Sequence, residues 1–232
     1  SYETILSVAA AAGLGQKLGV AFGLGVTVFD IETTADIGYA SRVTAMGSAL
    51  VDADDEFNFE IGSGSIAFGA SKAGIGGAIA IPVVKKTTTA TISDNAIVNA
   101  FAMRNGFNVA TGDFAAFTGD TSQSGAIGQA DLDYSALPTG KDLSFFNDRN
   151  ATPITYSGFE GVSVTALSET GIELYGAGAA ITLAGAGVQA SFGYSDLDET
   201  TTATVGNNVN INQNSASADT DQAVNVAAGN DV

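Results

Sequence analysis

The sequence predicts an all-β fold of the β-solenoid type, a right-handed parallel β-helix with one irregular insertion. Three observations predict it: a long internal repeat, a strand-like alternation inside each copy, and a composition rich in small side chains. The 232-residue chain contains 29 glycines, 8% aromatic residues and no tryptophan. Such a composition suits a thin core in which backbones approach closely, as in stacked repeats.

The repeat is marked by three glycines, Gly19, Gly74 and Gly187, each of which lies 14 residues before a threonine. The step from Gly74 to Gly187 is close to twice the step from Gly19 to Gly74. Self-similarity at a fixed period is the signature of a repeat architecture. We expect columns of Ala, Val and Ile to stack inward as ladders. Six apolar columns align without gaps: Leu24/Ile79/Phe192, Val26/Ile81/Tyr194, Phe29/Val84/Leu197, Ala35/Ala90/Ala203, Ile37/Ile92/Val205 and Val43/Val98/Ile211.

Within each copy, apolar residues recur at every second position, as at 26–28, 79–83 and 188–194. This spacing is typical of strands, whose successive side chains point to opposite faces. In the stretch KKTTTATISDN (85–95), it predicts that Ala90 and Ile92 face inward and that the threonines between them face outward. Glycine-rich runs such as GAGAA (176–180) disfavour a helix, since each Gly costs about 1 kcal/mol relative to Ala.

The turns are predicted at Ser-Asp-Asn (93–95), Gly-Asn-Asn (206–208) and Gly-Asn-Asp (229–231), where these residue types tolerate left-handed backbone conformations. Because the repeat is longer than one coil of a typical β-solenoid, we expect each copy to form two or three coils. A transmembrane barrel is the competing β architecture. The 13 Phe and 6 Tyr do not cluster into interfacial girdles, which favours the solenoid.

The repeats divide the chain into three segments. Residues 1–111 hold repeats 1 and 2, residues 112–160 form an Asp-rich insertion, and residues 161–232 hold repeat 3, which continues the same solenoid. Insertions in solenoids often form binding loops on one face. The alternative interpretation is a loop that packs over the side of the solenoid, and Phe145 and Phe146 favour it because they can anchor such a loop.

Composition excludes several classes of function. The net charge is −17, with 25 acidic and 8 basic residues, so nucleic-acid binding and attraction to anionic lipids are not expected. The apolar runs at 73–84 and 176–188 are shorter than the roughly 20 residues of a membrane helix, and no membrane insertion is predicted. The absence of Cys and His excludes thiol nucleophiles, Ser-His-Asp triads and His or Cys zinc sites. We predict neither enzymatic activity nor a cofactor.

Acidic residues supply weak candidates for a calcium site, because Ca²⁺ prefers oxygen ligands. A glycine-rich nonapeptide array, which would be a strong calcium signal, is absent from the sequence. Solvated acidic turns are therefore the favoured interpretation, and no metal is predicted. The weak candidates are Asp120, Asp131, Asp133, Asp196 and Asp198.

Three stretches resemble the repeats of giant secreted bacterial β-helical proteins, the leukotoxin-like and filamentous-haemagglutinin-like adhesins. They are KAGIGGAIAIPVVKKTTTATISDNAIVNA (72–100), the segment 143–180, and QAVNVAAGNDV (222–232). The resemblance implies an extracellular or cell-surface location and a structural or adhesive function. The family pattern includes no catalytic residues.

The expected function is thus a structural or adhesive module of an exported bacterial surface or fibre protein. Both ends of the sequence lie midway through a repeat, which predicts neighbouring repeats in a longer chain or head-to-tail stacking of subunits into a filament. Host or surface glycans are the other expected partners.

Two alternatives from other functional classes remain open. A carbohydrate-active β-helix enzyme of the polysaccharide-lyase kind would need positive charge to hold an acidic substrate, which this chain lacks. An ice-binding solenoid would need an outward Thr-x-Thr pair on nearly every coil, whereas the sequence has at most one such pair in each copy of the repeat.

Overall fold

A computed structural model describes residues 2–70, 72–104, 106–114, 154–183, 185–213 and 218–232. The described chain is all-β, with thirteen strands arranged mainly in parallel sheets. Within these residues, no helix has the length and apolar character needed to cross a membrane.

Each repeat copy forms one layer of two long strands and one short strand. In the third layer, the second long strand is interrupted and forms two shorter ones. The first layer contains β1 (Tyr2–Gly15), β2 (Leu18–Ile37) and β3 (Arg42–Ala45); the second contains β4 (Ala49–Gly69), β5 (Ala73–Ile92) and β6 (Ile97–Ala100). After β7 (Phe107–Phe114) and β8 (Ile154–Phe159), the third layer contains β9 (Gly161–Thr182), β10 (Ala186–Gly193), β11 (Asp196–Val205) and β12 (Asn210–Ile211), and β13 (Ala223–Asp231) follows it.

The layers stack through three parallel sheets. Sheet 1 has the strand order β1-β4-β9-β13, sheet 2 pairs β5 with β2 on one side and with β10 and β11 on the other, and sheet 3 has the order β12-β6-β3. Gly19 and Gly187 both pair with Gly74, which confirms the alignment predicted from the sequence. In-register parallel pairing places equivalent residues of the copies side by side.

The prediction of two or three coils per repeat is wrong. Equivalent residues of successive copies, such as Ala35 and Ala90, are direct partners in neighbouring strands. One copy therefore makes a single layer. The reason is strand length: β4 and β5 have 21 and 20 residues, far longer than a typical strand, so one layer uses a whole repeat.

The inward direction of the apolar columns is confirmed for four columns and wrong for two. Sheets 1 and 2 pack face to face, and the columns containing Val84, Ala90 and Ile92 lie in the core between them; the column containing Val98 enters the same core from sheet 3. The columns containing Leu24 and Val26 point outward instead. Both positions differ by an odd number of residues from Phe29, and alternate residues of a strand point to opposite faces.

The core has two apolar clusters and a thin end. One cluster lies near the short strands and the other contains Phe57 and Phe59, both of which contact Phe29 edge-on with ring centroids 5.2 and 4.8 Å away. Towards the β4–β5 turn, inward positions are occupied by small residues. Gly19 and Gly74 are examples, and they allow the two sheets to approach closely.

The turns after β5 and β11 confirm the predicted Ser-Asp-Asn and Gly-Asn-Asn turns, and an equivalent turn follows β2. The predicted Gly-Asn-Asp turn is wrong, because residues 229–231 belong to β13 and pair with β9. Ala40, Asn95 and Asn208 occupy the same position in successive layers and all have left-handed backbones, with φ of 53°, 60° and 56°. Inter-layer hydrogen bonding continues through the turns: Ala40 N donates to Asp94 O (3.0 Å) and Asn95 N donates to Asn207 O (2.9 Å).

A proline explains why β10 and β11 are separate strands. Tyr194 N donates to Ala80 O (3.0 Å), so the next bond of a parallel ladder would run from residue 82 to Tyr194 O. Residue 82 is a proline and has no N–H to donate. The pairing with β5 therefore stops at Gly193 and resumes at Asp196.

The described parts of the predicted insertion are the last three residues of β7, which begins at Phe107 within the segment assigned to repeat 2, and residues 154–160 with β8; β7 and β8 pair antiparallel. β7 contacts β9 and β13, and Val109, Ala110 and Leu167 are buried there. This arrangement covers the outer face of β9 near its start. Residues 115–153, which include Phe145 and Phe146, lie outside the described residues.

Candidate functional site

A buried charged cluster lies on the inner faces of sheets 1 and 2. Lys86 is an even number of residues from the inward Ala90, so its side chain enters the core, where it is 0% exposed. Its partners in the neighbouring layers are Ile31 and Glu199. We define the charged cluster as Lys86, Asp55, Glu199, Ser168 and Thr170.

The Lys86 ammonium crosses between the sheets. Its Nζ donates hydrogen bonds to the backbone oxygens of Asp55 (3.1 Å) and Glu169 (2.7 Å), and to Oγ1 of Thr170 (3.1 Å). Two carboxylates lie close to the same atom, Asp55 Oδ2 at 3.3 Å and Glu199 Oε1 at 3.9 Å. Their side chains are 0% and 4% exposed.

The two carboxylates are incompletely satisfied. Glu199 Oε1 accepts hydrogen bonds from the hydroxyls of Ser168 and Thr170, the second at 3.3 Å. Glu199 Oε2 and both side-chain oxygens of Asp55 accept no hydrogen bond from the described residues. Burying charge is costly unless each group is paired and hydrogen-bonded, so this cluster is the most strained electrostatic feature described.

Sequence reasoning missed this cluster. Lys85-Lys86 and Asp54-Asp55 look like solvated charge pairs in the sequence. Strand alternation would have identified Lys86, because it lies four residues before Ala90 and its side chain therefore points to the same inner face. Its neighbour Lys85 has the opposite phase and forms an exposed ion pair with Asp30 (3.7 Å), with side chains 59% and 73% exposed.

The weak calcium candidates are not brought together in the described residues. Asp196 and Asp198 are exposed on sheet 2, and Asp198 lies beside Lys85, which opposes cation binding. Asp120, Asp131 and Asp133 lie outside the described residues. Within the described part of the chain, no group of three or more acidic, His or Cys side chains is placed to hold a metal ion.

The outer face of sheet 2 carries a large apolar surface near the β4–β5 turn. Side chains from all three layers contribute, and most are about half exposed. We call these residues the apolar face: Val20, Phe22, Leu24, Val26, Val28, Ile75, Val188, Phe192 and Tyr194. A contiguous exposed apolar surface of this size indicates an interaction site.

The outer face of sheet 1 carries a shallow apolar groove of about 540 Å³ at the same end of the layers. It is lined by residues of the three layers, all small except Ile66, and we call it the small-residue groove: Ala10, Ala11, Ala12, Gly64, Ser65, Ile66, Ala177, Gly178 and Ala179. The same outer face also carries larger exposed apolar side chains, among them Val8, Leu14 and Ile181, so the groove is a local depression of this face.

The other end of sheet 1 is acidic. Partial desolvation and the neighbouring carboxylates of Asp52, Glu56 and Asp55 raise the pKa of Asp54. On the same sheet, a hydrogen bond from the Tyr175 hydroxyl to Glu173 raises the pKa of Tyr175 to about 12.

The strands at the two ends of the stack offer backbone edges. β1 and β13 are the outer strands of sheet 1, β2 lies opposite β10 and β11 in sheet 2, and β3 lies opposite β12 in sheet 3. An outer strand presents N–H and C=O groups that can pair with another strand.

No protein family, curated protein or solved structure matches this chain.

Proposed function

We propose that this chain is a β-solenoid module, a right-handed parallel β-helix, of an exported bacterial surface or extracellular fibre protein. Its role is structural or adhesive. The observation that supports this best is the stacking of three repeat copies in one register, with each layer joined to the next by parallel strand pairing. The resemblance to leukotoxin-like and filamentous-haemagglutinin-like adhesins supports the same role, with host or surface glycans as ligands.

The stack extends by adding strands at its two ends. Each added layer pairs its backbone with the outer strands of sheets 1, 2 and 3, whether it belongs to a neighbouring repeat or to another copy of the chain. Because such a contact joins different surfaces of the two partners, it generates an open filament.

The stacks also pack side by side through their outer faces, with a second copy as the occupant. Phe22, Leu24 and Phe192 of one copy enter the small-residue groove of another, because the protruding and recessed surfaces are both apolar and lie at the same end of the layers. Sheets packed face to face lie about 10 Å apart.

Electron microscopy of the purified chain, combined with light scattering over a range of concentrations, tests this function. The expected result is elongated particles whose mass increases with concentration. Fibre diffraction should give a layer spacing of about 4.8 Å along the long axis. Monodisperse monomers at high concentration would contradict self-assembly.

A second candidate function is ordering of water at an ice surface, and one observation favours it. Each repeat copy forms one layer, so a Thr-x-Thr pair that occurs once in each copy also occurs once in each layer. Outward Thr-x-Thr pairs therefore lie next to one another in consecutive layers. Thr89 and Thr91 lie beside Thr202 and Thr204, and the hydroxyls of Thr91 and Thr204 are 3.1 Å apart. In the first layer, Asp36 replaces the second threonine of the pair.

A thermal-hysteresis measurement separates this candidate from the structural role. Ice binding predicts a freezing-point gap that is lost on Thr202→Lys. The structural proposal predicts no gap for either protein.

A further inference from the structure

The charged cluster lies in the core, away from the outer strands and outer faces used by the proposed assembly, and its chemistry points to a covalent modification. We propose that Lys86 Nζ and the side-chain carboxyl of Asp55 form an intramolecular amide bond, with Glu199 as the proton carrier. The bond would join β4 to β5 and thereby cross-link the two sheets inside the second layer.

The positions of the reacting groups support this assignment. The Lys86 Nζ lies 3.3 Å from Asp55 Oδ2, so the nitrogen is held directly beside the carboxyl group whose Cγ it attacks. Both side chains are 0% exposed, so bulk water does not compete with the amine. Packing in the core holds both groups in place, which converts a slow bimolecular condensation into an intramolecular one.

Glu199 is placed to move the protons. Its Oε1 lies 3.9 Å from Nζ and is oriented by the hydroxyls of Ser168 and Thr170. Its Oε2 accepts no hydrogen bond from the described residues, although it is buried, and so has lone pairs free to accept a proton. A carboxylate held beside an amine and a carboxyl group is suited to general acid–base catalysis.

The reaction balances without an oxidant, a metal or a cofactor. A proton first moves from the Lys86 ammonium to the Asp55 carboxylate, which gives an amine and a carboxylic acid with no change in net charge. A dry environment favours this neutral pair over two separated charges.

The amine nitrogen then attacks Asp55 Cγ, and Glu199 accepts a proton from the nitrogen. Glu199 returns that proton to the departing hydroxyl. One C–N bond forms, one C–O bond breaks and one water molecule leaves.

The product relieves the cost of the cluster. The buried charges of Lys86 and Asp55 disappear, and the new amide N–H retains a hydrogen-bond acceptor in the Glu169 backbone oxygen, now 2.7 Å from Nζ. Only the Glu199 charge stays buried, next to the hydroxyls that already bind it. The cross-link is independent of whether the stacks assemble, because all participants belong to one chain.

Intact-mass spectrometry of the purified full chain tests the proposal. The expected mass is lower than the sequence mass by one water molecule. A tryptic digest should yield a branched peptide joining the segments that contain Asp55 and Lys86, with cleavage retained after Lys85 and lost after Lys86. A wild-type protein with the full sequence mass and ordinary cleavage after Lys86 would falsify the cross-link and leave a simple buried ion pair.

Variants assign the roles. Lys86→Met and Asp55→Ala each remove one reacting group, and each variant should show the full mass of its own sequence. Glu199→Gln should also show the full mass with both reacting residues intact; an unchanged water loss in this variant would overturn the role of Glu199. Lys85→Met is the matched control, because changing this exposed neighbour should leave the water loss intact. If the core variants fail to fold, the wild-type mass and peptide map decide the question.

Discussion

Lys86 shows how far a single position can depart from what its residue type suggests. A lysine next to another lysine normally lies in solvent, yet strand alternation turns this one into the core. Once there, it must be paired, because an isolated buried charge costs several kcal/mol. Asp55 and Glu199 provide that pairing from two other strands.

Replacing Lys86 with Met should destabilise the protein strongly, by about 3–5 kcal/mol, because the buried Asp55 and Glu199 carboxylates then have no amine partner, whether as a counter-charge or as the other half of the cross-link. Urea unfolding followed by circular dichroism measures the change. The exposed Lys85→Met should change the free energy of unfolding by no more than about 0.5 kcal/mol. Equal effects of the two variants would show that Lys86 is not buried.

Asp54 should make stability depend on pH. Its pKa is raised in the folded state, so the folded protein holds more protons between the ordinary aspartate pKa of about 4 and the raised value. The free energy of unfolding should therefore fall as pH rises through this window. Asp54→Asn should remove that slope and stabilise the protein near neutral pH by no more than about 0.5 kcal/mol, since the side chain is exposed. Thermal melts across this pH range measure both effects, and parallel curves for the two proteins would contradict the assignment.

At the scale of the element, the turns are limited by backbone conformation, whereas the strands near the β4–β5 turn are limited by the space between the sheets. The turn after each second long strand needs one residue with a left-handed backbone, and two of the three layers have asparagine there. The strands near the β4–β5 turn need residues without side chains on their inner faces, because the sheets approach closely there.

Ala40→Asn should stabilise the first turn by roughly 0.5–1 kcal/mol. Alanine is strained at φ 53°, whereas asparagine tolerates this region and occupies it in the other two layers. Thermal denaturation should show a higher Tm for Ala40→Asn and a lower Tm for Asn95→Ala. The neighbouring variant Tyr39→Asn should have little effect, and a similar gain from it would point to a cause other than the backbone.

Gly19→Ala should destabilise the protein by about 2–3 kcal/mol, because an added Cβ would overlap the backbone carbonyl of Phe68. Gly62→Ala on the outer face is the matched control. The nearest atom to its Cβ would be Val8 Cγ2 at 3.8 Å, so this variant should be neutral or more stable by up to about 1 kcal/mol. Chemical denaturation of both proteins checks the contrast, and loss of stability in both would indicate that chain flexibility, rather than contact, is responsible.

At the scale of the whole molecule, apolar and acidic regions are separated along the layers. The end near the β4–β5 turn carries the apolar face and the small-residue groove, and the opposite part of sheet 1 carries Asp52, Asp54 and Glu56. The net charge of −17 opposes association through electrostatic repulsion. Lateral packing should therefore strengthen with salt, which screens that repulsion.

Phe192→Asp should weaken lateral association without unfolding the protein, because Phe192 is 61% exposed on the apolar face. Sedimentation velocity at high salt should show smaller assemblies for this variant than for the wild type. Thr89→Asp, on the same sheet but outside the apolar face, should leave the assembly size unchanged. An equal decrease in both variants would attribute the effect to added charge alone.

The sequence by itself determined the pairing register. Parallel in-register stacking places equivalent residues together, so the sequence steps between Gly19, Gly74 and Gly187 are also the pairing offsets. The inward phase of Ala90 and Ile92 and the asparagine turns followed from local rules of strands and turns, which depend on near neighbours in the chain.

Only the tertiary structure decided which residues meet across the core. The lengths of the strands made each repeat a single layer, and the facing of sheets 1 and 2 placed Asp55 against Lys86, with Glu199 contributed from the third layer. These residues are far apart in the chain, and no local pattern relates them. Periodicity fixes neighbours within a sheet, whereas contacts between sheets depend on how the layers fold back on themselves, and the candidate cross-link site depends on those contacts.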